Sequence, residues 1–356
     1  MKILLVTFSD NADHQDTTFG MYEALQNEPD VEAFLLAIKS PRVSLQQSER
    51  TWLVDCPKRP GICRKTFDLP LLFSIIRKIK KQHFDAIYFE SLHVWNLPIM
   101  AALKGKVRIY HVIHDVIPHE NDSSWRQVNL FNKVLVHLAD IIVLRNKKFI
   151  PTLIANYHAN ADRVKYLELW RRYIDYTPSV HSHSVLFFGR MNPYKGVDNL
   201  LKIVQQCPNI HFDVVGKVDS QVADIVEELK EQPNVSLISG YVSDEEMKNY
   251  FVKADWIIVP YNSASQSGII IDAYKYSRPV IAFNVGAIVE QVVPQQSGFL
   301  IEPGNIDDFS KCLQKTVQME NETHEKFCRQ AYDTGCEKYA ASGKVQAFKK
   351  FIKENL

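Results

Sequence analysis

Two glycines and two cations stand close together in the segment SVLFFGRMNPYKG, Ser184 to Gly196: Gly189, Arg190, Lys195 and Gly196. Val185 to Phe188 are apolar and read as a buried strand, Gly189 lets the chain turn out of it, and a helical stripe of Val197, Leu200, Leu201 and Val204 follows. A strand that opens into a loop carrying two cations just before a helix N-terminus suits an anion, most naturally a diphosphate. Arg and Lys are ordinarily solvated surface residues, so the spacing alone does not decide the matter.

A second stretch has complementary chemistry. In PYNSASQSGIIIDAYKYSRPVIAFNVG, Pro260 to Gly286, a strand ends at Pro260 and a serine-rich loop leads to Ser267 and Gly268 at the start of a helix. Free backbone N–H groups there, with the Ser265 and Ser267 hydroxyls, suit phosphate oxygens. Asp272, about one turn into the helix, can accept from ribose hydroxyls. An N-capping serine beside a surface aspartate would look the same. In the first half of the chain, IHDVIPHE places His114, Asp115 and His119 directly after a strand at 107–113. Glu90 and His93 follow a strand at 85–89, while Glu168, Arg171 and Arg172 follow one at 164–167. His111, His114 and His119 lie on a strand and an irregular loop rather than one face, which disfavours a metal set.

The elements that must carry these residues alternate. Strands are expected at 3–8, 31–37, 85–89, 107–113, 140–144 and 164–167, with helices at 19–25, 71–82, 97–103, 131–138 and 147–155 between them. Residues 39–70, rich in Pro, Ser and Gln, read as an excursion with little regular structure. Periodicity stops at YIDYTPSVHSHS, Tyr173 to Ser184, then the alternation restarts and runs to a helical, basic tail. Strand–helix alternation implies parallel sheets covered on both faces, with ligands beyond the carboxyl ends of the strands. The expected fold class is α/β: two Rossmann-like doubly wound domains facing a cleft, residues 1–176 and 177–339, with a C-terminal helix at about 340–356 packing back on the first.

Composition narrows the class of protein. With 356 residues, two cores are the natural division. A formal net charge of +1 argues against a nucleic-acid binder that relies on global charge. The six cysteines are scattered, without zinc-type pairs, and suggest reduced thiols and a cytoplasmic protein. The opening MKILLVTFSD is too short for a signal-peptide core, and no apolar run reaches the roughly 20 residues of a membrane span. The helix at 71–82 carries a basic face, Arg77, Lys78, Lys80 and Lys81, near Lys58, Arg59, Arg64 and Lys65, which suits an anionic membrane surface.

Taken together and in order, GR-x-x-x-x-KG after a strand, the SQSG loop, RPVIAF-x-VGAIVEQV and SGFLIEPG resemble the nucleotide-sugar-binding half of GT-B glycosyltransferases, specifically the retaining family 4. The matching segments run from about Ser184 to Gly304. The resemblance implies that Arg190 and Lys195 hold the donor diphosphate, with Gly189, Ser265, Gln266, Ser267, Gly268 and Asp272 around the nucleotide sugar. It implies that Tyr241 and Val242, in the Gly240–Ser243 loop, border the nucleobase. It gives His114 the role of a catalytic residue near the donor sugar. Asp10, Asp16, Glu90, His93 and Asp115, by their place in the first half of the chain, are candidates for the acceptor side. The activity implied is transfer of a sugar, with retention, from a nucleoside-diphosphate sugar to a hydroxyl acceptor in bacterial surface polysaccharide or glycolipid synthesis, with no cofactor or catalytic metal. The family's two glutamates are absent: aligned on Gly268, their positions hold Ser265 and Ala273, and Asp272 falls one residue short of the second. The family's N-terminal Gly-Gly loop is also replaced, by Ser9 to Thr18. These departures leave two alternatives, a non-catalytic nucleotide-sugar-binding partner of a glycosylation complex and a sugar-nucleotide epimerase.

Overall fold

The structure, a computed structural model, describes residues 1–39, 45–58, 63–114, 116, 125–264 and 267–356. The chain divides into two compact units, Met1–Arg172 with Tyr339–Leu356, and Tyr173–Lys338.

The first unit alternates β1 (Lys2–Thr7), α1 (Ala12–Gln26), β2 (Glu32–Ile38), β3 (Thr51–Val54), α2 (Leu69–Gln82), β4 (Ala86–Phe89), α3 (Asn96–Leu103), β5 (Arg108–Val112), α4 (Trp125–Leu138), β6 (Ile141–Leu144), α5 (Ile150–Tyr157) and β7 (Val164–Tyr166). The strands form one parallel sheet in the order β3-β2-β1-β4-β5-β6-β7. Runs such as ILLV, AFLLAI and IIVL are apolar at successive positions because helices cover both faces of the sheet. One face packs Leu4, Val6, Phe89 and Ile142 against Leu72, Ile76 and Ile79 of α2, Ile99 of α3, Leu135 of α4 and Leu153 of α5. The other packs Ile3, Leu5, Tyr88 and Val143 against Phe19 and Leu25 of α1. Strand order reverses between β1 and β4, so the loops after these two strands diverge and open a crevice.

Three expectations change here. The helix expected at 19–25 starts at Ala12, so most of the polar loop expected from Ser9 to Thr18 is helical. Asn11 caps it by accepting from the Asp13 N–H, and the buried polar residues of its first turns are satisfied locally: Thr17 donates to the Asp13 carbonyl and Thr18 to that of His14. Hydrogen bonding rather than apolar periodicity holds those turns, which is why no stripe marks them. Within 39–70, Thr51–Val54 forms an edge strand on β2. The helix expected at 131–138 begins six residues earlier, at Trp125.

The second unit contains β8 (Ser184–Phe188), α6 (Val197–Gln206), β9 (His211–Gly216), α7 (Ala223–Lys230), β10 (Val235–Ser239), α8 (Asp244–Lys253), β11 (Trp256–Val259), α9 (Gly268–Lys275), β12 (Val280–Phe283), α10 (Ile288–Gln291), β13 (Gly298–Ile301), α11 (Ile306–Val317) and α12 (Asn321–Tyr339). Its parallel sheet has the order β10-β9-β8-β11-β12-β13, with the reversal between β8 and β11. Arg278, fully buried, donates to the carbonyls of Phe251 and Val252 at the end of α8 and of Thr177 and Pro178 on the entering chain. One guanidinium thus satisfies carbonyls that a helix end leaves without intrahelical partners. The last helix, α13 (Ala341–Glu354), returns to the first unit, where Val345, Phe348 and Ile352 join the core around α1.

Candidate functional site

The reversal point of the second sheet brings the two glycine- and serine-rich stretches together, because β8 and β11 are neighbours. Beyond β8, Gly189 has φ +115 and Gly196 φ +67, left-handed values that favour glycine. A Cβ on Gly189 would lie 2.8 Å from the Lys195 ammonium, and one on Gly196 would meet the Pro260 carbonyl oxygen. Both glycines therefore make room, one for the cation and one for the loop after β11. Asn199 of α6 donates to the Pro260 carbonyl (3.0 Å) and the Asn262 side chain (2.8 Å), while the Asn262 N–H donates to the Tyr194 carbonyl (2.9 Å). The loops are stitched into one surface.

Lys195 is held from both sides. Its Nζ donates to the Tyr261 hydroxyl (3.1 Å) and lies 5.0 Å from that ring's centroid. Burial lowers its pKa, as does repulsion from Arg190, while Tyr194 and Asp272 oppose the fall. A desolvated ammonium beside an exposed guanidinium, Arg190, is a site that a bound anion would relieve. Burial pushes the Tyr261 phenol up, which keeps it a neutral hydrogen-bonding partner, with the Ser267 hydroxyl opposing the rise.

At the start of α9, Gln291 clamps Ser267: its Oε1 accepts from the Ser267 N–H (2.7 Å) and its Nε2 donates to the Ser267 carbonyl (3.0 Å). The Ser267 N–H is thus committed, contrary to the expectation of a wholly free helix end, and the following N–H groups of α9 remain for an anion. Gly268 opens onto free space. Asp272 is buried and close enough to Lys195 to act on its charge, so it belongs to the cation's surroundings rather than to an exposed ribose contact. Ser265 and Gln266 lie outside the described residues. Tyr241 is 76% exposed, with Val242 beside it, at the carboxyl end of edge strand β10. The next helix, α8, is fixed by a capping box: the Ser243 hydroxyl accepts from the Glu246 N–H, and the Ser243 N–H donates to the Glu246 carboxylate.

The reversal point of the first sheet holds a different cluster. Glu90, 1% exposed, accepts from Arg145 (2.8 Å), and the His114 Nε2 lies 2.8 Å from the Glu90 carbonyl oxygen and 3.1 Å from its carboxylate. Burial by itself would raise the Glu90 carboxyl, but Arg145 and His114 outweigh it and hold it below the usual range. The Arg145 guanidinium also lies 4.1 Å from the Trp170 ring centroid. The His114 ring packs at a tilt against His14, centroids 4.6 Å apart, and His14 in turn meets the Ser9 hydroxyl (2.9 Å). Glu90 is therefore a buried partner of His114 rather than an acceptor contact.

His93 is also corrected. It is 1% exposed, its Nε2–H donates to the Pro57 carbonyl and its Nδ1 accepts from the Trp95 N–H, so neither ring nitrogen can reach a ligand. Burial lowers its pKa to about 4. His111 is likewise buried, between Asn96 and the Val112 carbonyl, with its pKa lowered to about 4 chiefly by burial. Asp10 pairs with Lys58 (2.9 Å), and Asp16 lies in the first turns of α1. Asp115 and His119 lie outside the described residues. Among the described residues no group of three or more His, Cys, Asp or Glu could hold a metal ion. The six cysteines form no disulfide, and no described helix is long and apolar enough to cross a membrane.

Sequence reasoning did not single out Tyr261, Gln291, His14 or Arg145. Tyr261 and Gln291 stood inside quoted motifs, but their roles depend on which backbone atoms fold beside them. His14 and Arg145 reach Glu90 and His114 only through the parallel order of β1, β4, β5 and β6.

Two doubly wound units of this kind, one with a cation pair and a helix start at its reversal point, define the GT-B class. Solved structures agree on the fold: the Anabaena protein HepE in complex with UDP-glucose (TM-score 0.65, 15% identity, 99% of this chain and 100% of that one) and sucrose-phosphate synthase from Thermosynechococcus elongatus (TM-score 0.64, 15% identity, 99% and 98%). Residues 179–334 match the family model described as glycosyl transferases group 1. The chain has the GT-B fold, and its match to the group 1 glycosyl transferases lies within its second unit. Among curated relatives, an uncharacterized 41.2 kDa protein in the cps region of Klebsiella pneumoniae is 26% identical over 71% of this chain and 67% of its own length. GDP-mannose:glycolipid 4-beta-D-mannosyltransferase of Xanthomonas campestris pv. campestris is 24% identical over 61% of this chain, and the alignment spans 59% of that enzyme.

Proposed function

We propose that the protein is a retaining glycosyltransferase of family 4 that moves a hexose from a nucleoside-diphosphate sugar to a hydroxyl of a glycolipid or surface-polysaccharide acceptor. The observation that carries this reading is the half-buried Lys195, beside Arg190 and next to the N-terminus of α9. Cations and helix N–H groups aimed at one place stabilise the charge that develops on a departing diphosphate, and they act more strongly where water is excluded. In the family the donor's own phosphate takes the acceptor's proton, so no pair of catalytic carboxylates of the glycosidase kind is required. This accounts for a working site with Ser265 and Ala273 where the family's glutamates commonly stand. His114, oriented by Glu90, takes the role the resemblance assigns it near the transferring sugar. The HepE complex with UDP-glucose and the glycolipid-directed Xanthomonas relative support the choice of donor and acceptor classes.

Calorimetry with UDP and GDP tests the site. Lys195→Ala and Arg190→Ala are each expected to weaken diphosphate binding at least about tenfold, the loss of a charge-assisted contact of roughly 1.5–3 kcal/mol. Unchanged affinity in both variants overturns the assignment. A radiolabelled donor assay then separates the alternatives. Transfer to a lipid-linked acceptor supports the transferase. Binding without turnover favours the non-catalytic partner that the missing glutamates allow, and free sugar released without an acceptor favours an epimerase.

A further inference from the structure

Four helices begin on a residue that closes them. Asn11 before α1, Asp68 before α2, Ser243 before α8 and Asn305 before α11 each accept, through the side chain, from an N–H of the first turn. Ser267 stands at the same position before α9 and belongs to the same class of capping residue, yet its hydroxyl makes no such bond. It is 3% exposed and lies close enough to the Tyr261 phenol to act on it. The cause is the neighbouring Gln291, also 3% exposed, which grips both polar groups of the Ser267 backbone, the N–H at 2.7 Å and the carbonyl at 3.0 Å. Gln291 is itself held in place. Its carbonyl accepts from the buried Tyr274 hydroxyl (3.2 Å), that hydroxyl meets Ser297 Oγ (2.7 Å), and Ser297 Oγ accepts from the Val293 N–H (2.9 Å).

We propose that Gln291 is a positioning residue that keeps the N-terminus of α9 uncapped, so that the N–H groups of Gly268, Ile269 and Ile270 stay available to the phosphate oxygens of a nucleoside diphosphate. The inference rests on the diphosphate reading of Lys195 and Arg190, and adds to it a residue that touches no ligand. A helix start leaves its first N–H groups without intrahelical partners. Gln291 takes that of Ser267, and those of Gly268, Ile269 and Ile270 have no partner among the described residues. A serine cap would consume one of them, at Ile269 or Ile270. They start beside the cation: a Cβ on Gly189 would lie 2.8 Å from the Lys195 ammonium and 3.6 Å from Ile269 Cδ1. A Cβ on Gly268 would meet nothing within 4 Å, so the approach to these N–H groups is open. A glutamine amide suits the task because it sets one acceptor and one donor in a plane, matching the N–H and carbonyl of a single residue. An apolar side chain of the same size would leave both backbone groups unpaired. Ser267 could then turn, and its hydroxyl would compete for the helix N–H groups as serines at this position ordinarily do.

Calorimetry of the full chain with UDP and with GDP, run as a double-mutant cycle, tests this. Q291M keeps the length of the side chain and is expected to weaken binding about fivefold, the worth of one N–H group given over to a cap. In the S267A background no hydroxyl is present to cap, and the same substitution is expected to change affinity by less than about twofold. A role in the fold alone would weaken binding equally in both backgrounds, and that result overturns the inference. So does a Q291M affinity equal to that of wild type. Q291E keeps both shape and acceptor and is the milder variant if Q291M does not fold. Compared with wild type at each pH, its affinity is expected to recover as the carboxyl protonates and regains a donor for the Ser267 carbonyl. A ratio that stays constant across pH counts against the proposal and overturns it. The diphosphate reading fails separately: Lys195→Ala would then leave affinity unchanged, and this inference would fall with it. A loss in Lys195→Ala with none in Q291M overturns this inference alone.

Discussion

At the scale of single residues, the site depends on how Lys195 is kept charged yet poorly solvated. Its lowered pKa has a direct consequence: diphosphate affinity should fall on the alkaline side at a lower pH than an ordinary lysine near 10.5 would impose, because the neutral amine no longer attracts the anion. Binding measured across alkaline pH, with Arg190→Ala shifting the fall upward by removing a repelling charge, checks the sign. Tyr261→Phe removes the Lys195 partner but keeps the ring, and a loss of about 2- to 10-fold in diphosphate affinity is expected, the worth of one hydrogen bond. The buried histidines set a second pH dependence. His93 and His111 titrate near 4 in the folded chain and near 6.5 when unfolded, so the unfolded state binds more protons between those values. Stability is therefore full above about pH 6.5 and is lost progressively down to about pH 4, by up to roughly 3 kcal/mol per histidine. Denaturant melts across that window should show His93→Gln flattening the slope.

At the scale of elements, the loops are made by backbone conformations that particular residues permit. Gly189→Ala both strains a left-handed turn and drives a methyl toward the Lys195 ammonium. It should cost about 1–3 kcal/mol of stability and weaken diphosphate binding, whereas an equally strained loop remote from the site would lower the melting temperature alone. Arg278 makes the complementary point about a helix end. Arg278→Ala leaves the carbonyls of Phe251, Val252, Thr177 and Pro178 buried without their donor, an expected loss of about 3–5 kcal/mol readable by denaturant melts. α1 shows why some elements were hard to foresee. Its first turns bury His14, Gln15, Thr17 and Thr18, and a helix satisfied by local hydrogen bonds carries no apolar stripe.

At the scale of the whole molecule, the chain's last helix belongs to its first unit. Phe348, fully buried, packs edge-on against Tyr88 and Trp170, so Phe348→Ala should cost about 3–5 kcal/mol in that unit's core. Scanning calorimetry is expected to resolve a transition lowered by this substitution and one left in place, since a single two-state description does not suit two units. A uniform shift of the whole profile would contradict the division.

Much of the architecture was determined by the sequence itself. Apolar runs such as ILLV, WIIV and VIAF can be buried only in a sheet covered on both faces, and the helical stripe after Lys195 could not point elsewhere. The doubly wound fold and the identity of Arg190, Lys195 and Gly268 as a candidate anion site follow from that local information. Tertiary structure decided the rest. It turned His93 and Glu90 from acceptor contacts into a core histidine and a buried ion-pair partner, because burial and the partners across a sheet are set by strand order. It also gave Lys195 its Tyr261 partner and laid the Lys78 ammonium over the Trp52 ring, 4.0 Å from its centroid. Contacts between residues far apart in the chain leave no period in it, and these depend on which strand ends the fold makes neighbours.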